Sequence, residues 1–265
     1  MNSISNPMPR EALKTKPTST FKIRDVPSDL PIKWLKSGID DFKKAPVVSF
    51  FLGMIYVLIG AFMLWLAWES PLYMTTLIAS FLLIGPVVAV SFYCMSRTIE
   101  QGEKPTLRQG LEGLKFNAVS LISFSFVLAF IVGIWALIAT IVTALYADSI
   151  AFGDDIWAAL ISHDQLLSFA LIYIAIGAIF SVIAFSISVI SVPLITNRKT
   201  DFVTAMITSV KTVIKNPIAM LSWAFLIATM IFLGMLFFYV GLAITLPIIG
   251  HASWHAYRDL VLDET

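Results

Sequence analysis

The eighteen lysines and arginines of this chain sit in a few short stretches, separated by long windows with no charge at all. One apolar run within them, Pro217 to Gly250, is 34 residues. A bilayer core needs about 20 apolar residues to be crossed by a helix. Only 13% of the residues are charged, mean hydropathy is +0.87, and a soluble domain carries about 25% charged residues. The chain therefore reads as an all-α membrane protein. Its net charge of +1 gives no case for nucleic acid as a partner. No Gly-rich phosphate loop, CxxC pair or HExxH is present. A single cysteine, Cys94, cannot form an intrachain disulfide.

Residues 1–27 read as a disordered, basic cytoplasmic tail. The first 45 residues lack the apolar core and cleavage site of a signal peptide, so the first span is expected to act as an uncleaved anchor. From Ser28 to Lys44, Ile32, Leu35, Ile39 and Phe42 recur at helical spacing between Lys33, Lys36, Lys43 and Lys44. This pattern predicts a basic amphipathic helix on the membrane surface, with those four lysines on anionic headgroups. Similar short pieces precede two later apolar runs, at Leu107, Leu111 and Leu114 and at Phe202 to Ile214.

Spans are expected at about 47–68, 72–95, 116–146, 166–195, 217–236 and 239–258, within a membrane domain of 28–260. Residues 261–265 form a short tail. The last two spans come from one run that could also be a single long helix. Charge decides. Nine lysines and arginines precede span one, four lie in 97–115, four in 198–215, and Arg258 is alone. The connections 69–71 and 147–165 have none. Positive residues mark the cytoplasmic side, and six spans put every one of them inside, with both termini cytoplasmic.

Three segments align without gaps: Gly38 to Pro46, Gly110 to Ala118 and Ser209 to Pro217. Each starts with a small residue, has apolar residues one and four places on, and has Pro or Ala eight places on. Each even-numbered span carries a proline, Pro86, Pro193 or Pro247. The expected unit is a short amphipathic helix followed by a helical hairpin, present three times in one orientation.

Several stretches carry a family resemblance: Ile23-Arg24-Asp25-Val26-Pro27, Trp34 to Phe42, Leu83-Ile84-Gly85-Pro86, Asp201 to Met206, and Gly250-His251-Ala252-Ser253-Trp254-His255-Ala256-Tyr257-Arg258. Together they resemble the DUF2189 family of predicted integral membrane proteins over about residues 21–260. The resemblance implies a bacterial inner-membrane protein. It supplies a topology and no catalytic residue or cofactor.

The closing stretch holds the candidate chemistry. His251 and His255 are four apart and share a helix face. With Pro247 at the midplane, a rise of 1.5 Å per residue puts them roughly 6 and 12 Å from the centre. Two imidazoles at this spacing can hold a metal or haem, and Cys94 would be equivalent to His255 if the repeats superpose. An interfacial anchor of His, Trp, Tyr and Arg, bonded to Ser, Thr or headgroups, accounts for the cluster more simply. His163 beside Asp164 is a weaker metal candidate. Spans one to five have no Asp, Glu, Lys, Arg or His in their interiors, which argues against a carboxylate-driven pump. The expected function is therefore non-enzymatic: packing, lipid contact or an accessory role beside a membrane-protein partner. A small-molecule or lipid transporter using Pro-kinked even spans, and a haem or metal protein, are the alternatives.

Overall fold

The computed structural model describes residues 21–67, 89–146, 164–237 and 239–262. The described residues are helical apart from connections and one isolated β-bridge. In chain order the helices are α1 (Leu30–Lys44), α2 (Pro46–Ala67), α3 (covering 89–100), α4 (Leu107–Phe116), α5 (Ala118–Leu145), α6 (Asp164–Ser188), α7 (Ser191–Asn197), α8 (Phe202–Lys215), α9 (Pro217–Leu236) and α10 (Leu242–Leu260). Four stretches of the described residues are long and apolar enough to cross a membrane: Pro46–Met63, Ala118–Leu145, Leu166–Asn197 and Pro217–Leu236. Most of the expected second span, with Pro86, and the 147–163 connection with His163 lie outside the described residues.

The three short entry helices α1, α4 and α8 each turn into a long helix through one residue. Those residues are Ala45 (φ −135, ψ 53), Asn117 (φ −147, ψ 54) and Asn216 (φ −122, ψ 55). They occupy the same place in the three aligned segments. The shared dihedrals show that the alignment is structural, not merely a likeness of boundary residues.

Each entry helix packs on the second hairpin helix of another unit, at the small residue that opens its aligned segment. A Cβ on Gly38 of α1 would lie 2.6 Å from the Ile248 carbonyl oxygen and 2.7 Å from the Ala252 Cβ of α10. A Cβ on Gly110 of α4 would touch Ser91 of α3 at 3.4 Å. Ser209 of α8 donates to the Ser186 carbonyl of α6 at 2.7 Å and accepts the Ile190 N–H at 3.2 Å. Unit two thus docks on unit one, unit three on unit two, and unit one on unit three. The order closes a ring.

Pro193 explains the break between α6 and α7. Its ring cannot accept a helical neighbour at the carbonyl of Val189 and it has no N–H to give it. The helix opens at Val189 and Ile190, and Ser209 takes up the freed Ile190 N–H. Pro247 lies inside α10 without ending it.

Residues 21–27, expected as part of a loose tail, form an ordered strap. Ile23 bridges Val261 in antiparallel fashion. Arg24 N–H donates to the Leu260 carbonyl at 2.8 Å, and Leu262 N–H to the Lys22 carbonyl at 3.0 Å. Asn216 holds the strap from below, accepting the Val26 N–H at 2.9 Å and donating to the Arg24 carbonyl at 3.1 Å. Asn117 makes the corresponding clamp one unit earlier, donating to the Thr200 carbonyl at 2.7 Å. Each junction asparagine therefore fastens the segment that leads into the next entry helix. Asn216→Ala removes two such bonds, each worth about 1 kcal/mol. Trypsin cleavage at Arg24 of the folded protein is expected to quicken by about tenfold or more. An unchanged rate would mean that the bridge to Val261 and the Lys215 bond to the Ile23 carbonyl hold the strap without Asn216.

The last helix is the most enclosed. Gly38 of α1, Gly53 of α2 and Phe92 of α3 all close on α10, the last against Gly250. Ala252, Trp254, Ala256, Tyr257 and Leu260 are buried. The Tyr257 hydroxyl accepts from Asn197 Nδ2 at 2.9 Å and from Arg198 Nε at 3.3 Å. The closing stretch is thus a central core element, and its aromatic rings face protein where an interfacial belt would face headgroups.

Candidate functional site

Helical spacing sets out the site. On α10, His251, His255 and Arg258 share one face, at four- and three-residue intervals. On α3, Phe92, Ser96 and Glu100 share one face at four-residue intervals. The two faces meet. The Phe92 ring meets the His251 ring with centroids 5.5 Å apart. Ser96 Oγ lies 2.8 Å from His251 Nδ1. Glu100 lies 4.0 Å from His255 Nδ1 and 3.7 Å from Arg258 Nε. α2 adds Ser49, whose Oγ is 3.0 Å from His251 Nε2. α1 adds Asp41, 2.8 Å from His255 Nε2. Ser96 also favours the charged form of the Asp41 carboxyl.

The result is a continuous polar chain: Arg258, Glu100, His255, Asp41, Ser96, His251, Ser49. It runs from the half-buried Glu100 to side chains with no exposure at all, and four helices contribute to it. Burying polar groups is unfavourable unless each finds a partner. In neutral His251 one ring nitrogen donates and the other accepts, so one serine gives a proton to the ring and the other receives one. Burial pushes the Asp41 carboxyl up. The hydrogen bond from His255 and the favourable effect of Ser96 outweigh burial and hold it below its ordinary value. Lys44, at 3.5 Å, adds an exposed partner.

The sequence singled out His251 and His255, and the structure places them on one face as expected. It brings them to serine and aspartate. Both ring nitrogens of His251 are engaged, so no lone pair is left for a metal in this arrangement. Ser49 is in the first turn of α2, so His251 stands at the end of the bundle and not near its middle. Pro247 packs level with Gly53, about two turns into α2.

Cys94 does not join the histidines. It faces the opposite way on α3, where its Sγ occupies the space a Cβ on Gly113 of α4 would need. This is the counterpart of His255 facing Asp41: Gly113 and Asp41 hold the same place in the aligned segments. Cys94 and His255 are equivalent, as the repeat implied, and for that reason they lie at different interfaces. Among the described residues no group of three His, Cys, Asp or Glu is placed to hold a metal ion.

Asp41, Ser49, Ser96 and Glu100 were not legible as site residues. Asp41 carried one faint signal: it is the charged member of a position that is Gly113 and Thr212 in the other units. The lysines of α1 are exposed. Lys33 pairs with Asp29 at 3.6 Å and Lys43 with Asp40 at 3.5 Å, and Lys36 stands on the same outer side. The face of α1 turned to the protein is Pro31, Trp34, Gly38 and Asp41, and Trp34 Nε1 donates to Asp259 at 2.8 Å. Ile32 stays on the outside, 53% exposed.

Neither curated proteins nor solved structures give a match to this chain. A family model does, over residues 72–197, which include α3 with Ser96 and Glu100 of the polar chain, and the helices α5 and α6. The family named from the sequence motifs is the one that matches, over this stretch: DUF2189, described as "Predicted integral membrane protein".

Proposed function

We propose that the chain is a six-span inner-membrane protein, built as three hairpins with both termini cytoplasmic, that acts without catalysis through packing and lipid contact, as an accessory beside other membrane proteins. The closed ring of entry helices is the observation that carries this reading. It favours a fixed, self-bracing unit, since each hairpin is locked by its neighbour and the last is locked to the first. The antiparallel contact of Ile23 with Val261 keeps the two ends together, which supports an even number of spans. The polar chain serves as a register pin between α1, α2, α3 and α10. Buried polar residues fix register in other helical assemblies in this way.

The exposed lysines of α1 supply the contact with anionic headgroups, each worth about 1 kcal/mol near a charged leaflet. Purification of the Lys33→Gln, Lys36→Gln, Lys43→Gln, Lys44→Gln variant, followed by analysis of retained lipid, tests this. The anionic share of that lipid is expected to fall several-fold relative to the unaltered protein. An unchanged share removes the lipid-contact role from α1.

A further inference from the structure

α8 is built inside out for a helix at a water-facing surface. The residues it buries fully are small and mostly polar, Thr204, Ala205, Thr208, Ser209 and Thr212, flanked by Phe202, Met206 and Val213, which are partly buried against the core. Its polar groups are satisfied internally. Thr208 and Thr212 donate to the carbonyls four residues earlier, and Ser209 reaches α6. The side turned away carries Val203, Ile207 and Ile214, 45%, 47% and 72% exposed. These sit at intervals of four and seven and so form one stripe. Lys211 lies beside it, and 202–215 contains no carboxylate.

Such a stripe is unfavourable against water. α8 leads into α9 through Asn216 alone, and α9 continues outward with exposed Ile218, Leu221 and Phe225. α9 is long and apolar enough to cross a membrane. The outward face of α8 is therefore continuous in the chain with a lipid-facing surface. α1 differs: its outer side carries four lysines with Asp29 and Asp40 among them, so it has charge to present and little apolar area to sink.

We infer that α8 is embedded in the cytoplasmic leaflet, with Val203, Ile207 and Ile214 below the phosphates among acyl chains and Lys211 at phosphate level, deeper than α1. The occupant of this face is the lipid surface itself, an anionic leaflet matching Lys211. The inference rests on the membrane reading above but not on the α1 lysines, whose readout is retained lipid.

The test is depth. In a Cys94→Ser background, nitroxide labels are placed singly at Ile207→Cys, Lys211→Cys and Lys36→Cys, all exposed positions where the fold is not at risk. The protein is reconstituted in nanodiscs of phosphatidylglycerol and phosphatidylcholine. Collision with oxygen, which concentrates in acyl chains, is compared with collision with a water-soluble nickel chelate. The oxygen-to-nickel ratio at position 207 is expected to exceed that at position 36 by about threefold or more, with position 211 between them. Equal ratios at 207 and 36 would overturn the inference and leave the α1 lipid contact standing. So would dipolar broadening at 207, which would mean that a second copy covers the stripe.

Discussion

Gly38→Leu is expected to cost at least about 3 kcal/mol and to leave little folded protein at growth temperature. Overpacking a close contact costs about 1–3 kcal/mol where neighbours can yield. Here they cannot. The atoms that a Cβ would meet are the Ile248 carbonyl oxygen at 2.6 Å, the Ala252 Cβ at 2.7 Å and the Ala252 backbone nitrogen at 2.7 Å. Backbone atoms of a core helix move only with the helix. Pushing α1 off α10 also parts Trp34 from Asp259 and Asp41 from His255, and it opens the ring at its closing joint. Gly38→Ala carries the same clash with a smaller group, and about 2 kcal/mol is expected. Thermal unfolding in detergent measures both. Gly133→Ala in α5 is the control, because nothing lies within 4 Å of a Cβ there. Helix propensity then gives a gain of about 0.5–1 kcal/mol. If Gly38→Ala behaves like Gly133→Ala, the tight α1–α10 joint is not what holds the ends together.

The second large effect belongs to Asp41. Asp41→Ala leaves His255 and Lys44 without their common acceptor, and a hydrogen bond to a charged group contributes about 1.5–3 kcal/mol. His255 keeps some exposure, so the lower end of that range applies. Acid should produce a graded version of the same loss. The folded-state pKa of Asp41 lies below its ordinary value of 3.8. A depressed carboxylate contributes stability that is fully present above the unfolded value and is lost as pH falls through the folded one. Stability of the unaltered protein should therefore decline below about pH 4. In Asp41→Asn, which keeps the shape and cannot ionise, the Asp41 share of that decline should vanish, at lower overall stability. Parallel acid limbs in the two proteins would count against this account of Asp41.

Parts of this arrangement were readable because they are local. Proline at 46 and 217, a small residue eight places before, and lysines between apolar positions mark where one helix ends and the next begins. Those signals act within a turn or two, and they placed the three joints to within about two residues. The amphipathic pieces were readable for the same reason, although periodicity could not say which side of α8 meets protein. Threonine and serine look like a solvent face until their hydroxyls are seen to be bonded to carbonyls of their own helix, and only then does the aliphatic side become the outer one.

The sequence by itself determined the class, the helical segments, the tripled unit and the equivalence of Cys94 with His255. All of these depend on polarity and spacing along one stretch of chain. The tertiary structure alone decided the cyclic docking order and the burial of the last helix. It also decided the partners of the histidines, since Ser49 is 202 residues from His251 and Asp41 is 214 from His255. Hydropathy scores each side chain by its own polarity. The cost of burying His251 depends on whether Ser49 and Ser96 are there to receive it, and that is fixed only when α2, α3 and α10 are brought together.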